Sequence, residues 1–309
     1  MQSRAKPSSR ALCAAVSSSR NEPLAATASR IDHWLVVEYR GRWGRDVLGS
    51  SLLSAKVKEH LRAQLAALPH ARLLFVKQPE RRARGGRRVF LSRSRPGDER
   101  LVRLEVEHQE DMREIDLTSA LATDGGVGTT IAGPLFVVCT HGKRDRCCAL
   151  RGRPLYDGFC HATEADAVWQ STHIGGDRFA GNLVVLPHGL YYGRVEPDDV
   201  DPLLVAHASG QVDLARYRGR STYSFPVQAA EHAVREREGI LGIDELALLG
   251  STRLGDDAWR VRLRGAAGSI YEVDVAATLA DEPTYLTCGS TEPRRARRHV
   301  VTAYRVVSR

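Results

Sequence analysis

Lysine is scarce: the 45 basic residues include only five lysines, which leaves 40 arginines. That skew reads as a compositional habit rather than a phosphate-binding surface, so the net charge of +8 does not by itself point to nucleic acid. Long apolar runs are missing too, and none approaches the length needed to span a bilayer. Six cysteines in 309 residues are too few and too clustered for a disulfide framework. With no signal peptide pattern, the expectation is a reducing cytoplasm, where clustered Cys and His point to metal or redox work. No Cys-x-x-Cys pair, Walker, Rossmann or Ser-His-Asp motif is present, and no repeat of solenoid period.

What is present is the composition of a globular protein, 42% hydrophobic and 27% charged, in a chain longer than one ordinary domain. The first twenty residues are rich in Arg and Ser and lack acids, and 1–29 is expected to be a mobile tail. A first α/β domain is expected over 30–130. HWLVVEYRG reads as a strand, and leucines and valine at 53, 57, 61, 65 and 68 form one apolar stripe on a helix over 51–68. ARLLFVKQ, RRVFLSRS and LVRLEVEH follow as strands, an order that could make this domain a degenerate relative of the next. Asp124-Gly125-Gly126 marks its end. Residues 211–309 read as a small α+β module: a helix at FPVQAAEHAVRERE, then four strands. The arginine groups 81, 82, 84, 87, 88 and 294, 295, 297, 298 read as solvated loops.

The chemistry concentrates between, in 131–210. The run 134–138 (PLFVV) has strand length and stops at Cys139; 167–172 (AVWQST) alternates like a strand and stops at His173. The RDRC segment suits a helical start whose amides favour a thiolate, which places Cys148 near the same rim. Functional crevices of open α/β sheets lie at carboxyl ends of strands, so these residues can converge. Gly175 and Gly176 let a loop wrap closely, with Asp177 four residues after His173. NLVVLPHGLYYGRV reads as a hairpin, with Tyr191, Tyr192 and Trp169 as packing residues. A mononuclear zinc site fits the same four residue types; thiol-disulfide chemistry is the weaker alternative without a Cys-x-x-Cys pair.

Cys-Thr-His-Gly-x-Arg-Asp-x-x-Cys (139–148), His-Ile-Gly-Gly-x-Arg-Phe-Ala-Gly-Asn (173–182) and Tyr-Tyr-Gly-Arg-Val together resemble the sucrase/ferredoxin-like family. The resemblance is strongest over 134–195 and extends weakly from Glu22 onward. It implies a thioredoxin-like ferredoxin domain over 131–210, holding a 2Fe-2S cluster on two cysteines nine apart and two histidines four apart. By position these are Cys139, Cys148 and His173, with Asp177 in place of the second histidine. Asp177 ligates, or Cys147 or Cys288 completes the set, or the place is open. The implied role is electron transfer between donor and acceptor proteins rather than conversion of a substrate, with neither membrane nor nucleic acid as partner. An anionic oxygen in place of imidazole lowers the expected potential. His141, Arg144, Asp145 and Arg178 are expected to orient the ligands or balance their charge, with helix capping as the plainer role for Asp145. Cys147 reads as a spare thiol, Cys13 and Cys160 as structural or incidental, and Cys288 as a buried small residue or a contact crossing to the site.

Overall fold

The structure, a computed structural model, describes residues 12–79, 85–122, 127–164, 166–266 and 268–308. The Arg81–Arg84 part of the first arginine run and the Asp124-Gly125-Gly126 boundary lie outside the described residues.

Alternating and continuous apolar runs become strands, as the periodicity requires. In the first half β1 (His33–Glu38), β2 (Ala71–Lys77), β3 (Arg87–Arg93) and β4 (Arg100–Val106) stand in the order β4-β3-β1-β2. Between β1 and β2 runs helix α2 (Ala55–Ala66), shorter than the apolar stripe because the Ser54 hydroxyl accepts from the Val57 amide and starts the helix there. In the second half β6 (Leu135–Cys139), β7 (Val168–Ser171), β8 (Leu183–Leu186) and β9 (Leu190–Tyr192) stand as β9-β8-β6-β7. Helix α4 (Arg146–Ala162) joins β6 to β7. In each half the first two strands are parallel and the next two antiparallel. Both halves are therefore thioredoxin-like, and the first does mirror the second.

The halves meet edge to edge. β2 pairs antiparallel with β7 through Val76↔Ser171 and Lys77↔Gln170, and β5 (Thr129–Thr130) and β10 (Tyr217–Arg220) close the two ends of one ten-stranded sheet. One core crosses the seam: Trp34, Val36, Val76 and Phe90 pack with Val137, Trp169, Ile174 and Tyr191. This differs from the sequence expectation in two ways. The sheet and its core run unbroken through 130 and 210, because β2 and β7 satisfy each other's backbone groups. The expected tail over 1–29 holds a helix, α1 (Cys13–Ser19), with Cys13, Ala14 and Ser17 buried. Residues 1–11 are outside the described set.

Beyond the large sheet, α5 (Val200–Ala208) covers the second half. Helix α6 (Phe225–Glu238) packs on a second antiparallel sheet of β11 (Leu246–Gly255), β12 (Ala258–Gly265), β13 (Ile270–Leu279) and β14 (Arg297–Ser308), the expected α+β module. Among the described residues no helix is long and apolar enough to cross a membrane.

Candidate metal centre

Three elements of the second half deliver the four singled-out residues to one rim. Cys139 is the last residue of β6, Cys148 the third of α4, and Asp177 opens a 3-10 turn that follows His173. Helix α4 starts where it does because Asp145 caps it, its carboxylate accepting from the Cys147 amide at 2.8 Å. Gly152 then lets the helix press against the end of β6, where a Cβ would meet the Cys139 carbonyl oxygen at 2.0 Å.

The donor atoms of Cys139, Cys148 and His173 all lie within 4.8 Å of one another. Cys148 Sγ is 3.9 Å from His173 Nδ1 and 3.6 Å from Asp177 Oδ1; His173 Nδ1 and Asp177 Oδ1 are 3.1 Å apart. Both cysteines and Asp177 are buried, whereas the His173 side chain keeps 19% of its exposure and forms the outer edge. The two thiols titrate as a pair. The hydrogen bond from Cys148 holds the Cys139 thiol well below its ordinary range despite burial, and the same bond with burial pushes Cys148 up. Burial raises the Asp177 carboxyl, an effect His173 opposes.

The loop around His173 is pinned by its backbone. The Ile174 carbonyl accepts from Arg72 Nη1 at 2.7 Å, the Tyr191 hydroxyl at 3.1 Å and the Ser29 hydroxyl at 3.4 Å. Buried Arg218 donates to the carbonyls of Gly175 and Thr27 and to Asn182 Oδ1; desolvation lowers its guanidinium to about 10. Gly176 has φ 82°, and a Cβ there would strike that guanidinium. His141 accepts from the His173 amide through Nδ1 and donates through Nε2 to the Gly44 carbonyl, which fixes its tautomer. The positioning role expected of His141 is thus visible in its hydrogen bonds. Arg178 instead pairs with Glu22 at 2.6 Å. Arg72, Tyr191 and Arg218 escaped sequence reasoning, because nothing in a strand residue's local pattern marks a hydrogen bond to a distant loop.

Of the proposed fourth donors, only Asp177 stands at this rim. Cys147 and Cys288 turn to a separate corner with Cys13 and Asp145. Cys13 is therefore not incidental, and Cys288 crosses to α4 but not to the Cys139 site. The donor types fit iron or zinc chemically: two thiols and an imidazole grouped together, with a carboxylate against one thiol and the imidazole. Among Cys148, His173 and Asp177 the donor separations are 3.1–3.9 Å, while the Cys139 sulfur groups within 4.8 Å with Cys148 and His173 and not with Asp177.

Fold and rim together define an α/β protein of two thioredoxin-like halves with a Cys/His/Asp centre in the second. The Sucrase/ferredoxin-like family profile matches residues 24–219, more than half of the chain, and the chain belongs to that family. Among curated proteins it is 32% identical over 99 residues to "Altered inheritance of mitochondria protein 32" of Meyerozyma guilliermondii, covering 29% of this chain and 35% of that protein. It is 34% identical over 110 residues to the protein of the same name from Eremothecium gossypii, covering 31% and 32%. The chain thus spans about a third of the length of these relatives. Among solved structures, a cysteine-to-serine variant of the thioredoxin-like 2Fe-2S ferredoxin from Aquifex aeolicus aligns at 20% identity and a TM-score of 0.26. That alignment covers 28% of this chain and 99% of the ferredoxin.

Proposed function

We propose that the chain is an electron carrier holding a 2Fe-2S cluster on Cys139, Cys148, His173 and Asp177. The observation that carries this is the convergence of Cys139, Cys148 and His173, from separate elements, within 4.8 Å of one another, with Asp177 set against Cys148 and His173. When bound, such a cluster supplies one-electron transfer at a potential set by ligand charge, hydrogen bonds and exposure. The protein's own residues do the rest. Cys139 and Cys148, fully enclosed, exclude water from one side; His173 is the accessible edge, where an electron-transfer partner would dock. His141 and the held Ile174 carbonyl keep His173 in place. No substrate pocket is required, and donor and acceptor proteins are the expected partners. The relatives' name associates them with mitochondria; for this chain we propose a reducing compartment, on the strength of six free cysteines.

A mononuclear zinc site on the same residues is the second reading, favoured by the 3.1–3.9 Å separations among Cys148, His173 and Asp177. Anaerobic purification with iron and acid-labile sulfide analysis separates the two. EPR before and after dithionite on wild type and Asp177→Ala then tests the fourth ligand. Equal iron and sulfide with a signal appearing on reduction, altered in the variant, is the expected result; zinc without sulfide would sink the cluster.

A further inference from the structure

Outside the rim just described, three thiols from three remote stretches point at one another. Cys13 opens α1, Cys147 is the second residue of α4, and Cys288 lies in the 280–296 connection between β13 and β14. Their sulfurs form a nearly equilateral triangle: Cys13–Cys147 3.6 Å, Cys147–Cys288 3.3 Å, Cys288–Cys13 3.5 Å. The Asp145 carboxylate, only 2% exposed, closes the fourth side at 3.9 Å from Cys13 Sγ. We propose that Cys13, Cys147, Cys288 and Asp145 form a second, mononuclear site for a thiophilic divalent ion of the zinc type, which clasps α1 and the β13–β14 connection onto the start of α4.

Geometry separates this from the other fates of a buried thiol. A disulfide needs sulfurs about 2.05 Å apart and would leave the third thiol over. Cysteines buried merely as small hydrophobes have no reason to face each other and a carboxylate. Thiolates on a single ion with bonds of about 2.3 Å stand about 3.8 Å apart, close to the triangle seen; thiolates on different irons of a cluster stand farther apart. Asp145 is already anchored, one oxygen accepting from the Cys147 amide and the other from the Cys288 amide at 2.7 Å. The amide ends of the 17-residue helix α4 favour the anionic complex. Binding makes three metal–sulfur bonds and one metal–oxygen bond and releases three protons to solvent, with no change of oxidation state. Cys13 and Cys288 both lie outside the 24–219 stretch that matches the family profile, so the clasp is built from this chain's own flanks.

The test uses the full chain, purified without chelator, with zinc and iron measured in parallel. We expect about one zinc per chain in wild type, retained in Cys139→Ser and lost in Cys288→Ser and in Cys13→Ser. Cobalt(II) exchanged into the wild type should show thiolate-to-metal absorption of three-sulfur intensity, and this reading decides the matter should a serine variant not fold. The idea is overturned by wild type without zinc, by a mapped disulfide among the three cysteines, or by a two-sulfur cobalt spectrum. Zinc lost with Cys139→Ser but kept with Cys288→Ser also overturns it and assigns the ion to the rim instead. Absence of iron with zinc retained at the clasp would defeat the electron-carrier reading alone.

Discussion

Asp177 decides the character of the rim at the scale of single residues. It is buried, its carboxyl is pushed up by burial, and it stands 3.1 Å from the His173 imidazole. In the proposed cluster, an oxygen anion at this place would leave the centre more negative than a second neutral imidazole. Asp177→His should therefore raise the reduction potential and steepen its fall with rising pH, since two imidazoles can then exchange protons. Redox titrations at several pH values read both effects. An unchanged or lowered potential would show that Asp177 is not a ligand. The candidate ligand residues stood out in the sequence because Cys139 and His173 follow strand-like runs, Cys148 sits at a helical start and Asp177 follows a glycine pair. The residues holding the loop did not: Arg218 reaches Gly175 and Thr27 from an edge strand, and only the folded chain brings them together.

At the scale of elements, α4 is the part whose placement the centre depends on. Its Gly152 meets the end of β6, so Gly152→Ala forces the helix away from the Cys139 carbonyl, which is backbone and cannot yield as a side chain can. A loss of roughly 1–3 kcal/mol is expected, with a lower iron content per chain, read by denaturant unfolding and metal analysis. A second prediction concerns α5. His207 packs edge-on against Phe136 and Tyr192, its Nε2 buried without a hydrogen-bond partner. Burial, then the charge of His188, lowers its pKa to about 4. The neutral form is the stable one, so its contribution is intact above the unfolded value of about 6.5 and is lost as pH falls towards 4, by at most about 3 kcal/mol. His207→Phe should flatten the fall in Tm between these limits; an unchanged pH profile would count against it. Helices α2 and α6 and most strands were readable from periodicity. The start of α2 was not, because a capping serine and not the apolar stripe sets it.

For the whole molecule, the seam between β2 and β7 outweighs any boundary in the sequence. Backbone and side chain both cross it: the Thr172 amide donates to the Phe75 carbonyl at 2.8 Å, and the Phe75 amide to the Thr172 hydroxyl at 3.0 Å, one residue before His173. A fragment of residues 131–210 would expose both β7 and β9 as edges and half of the shared core. We expect it not to unfold cooperatively by circular dichroism, while the full chain does; a sharp transition in the fragment would show that the ligand half is autonomous. The likeness between halves could be read from strand order, but their union could not, since a seam of two backbone-paired residue pairs leaves no periodic trace.

The thiol corner also sets a clock. Cys13 leaves the ribosome 275 positions before Cys288. Until the last strand of the small sheet is in sight, Cys13 and Cys147 wait without their third partner, so closure of the corner reports that translation has passed residue 288. A chain cut short before that point keeps the rim ligands yet leaves two thiols unsheltered, open to oxidants and to quality control.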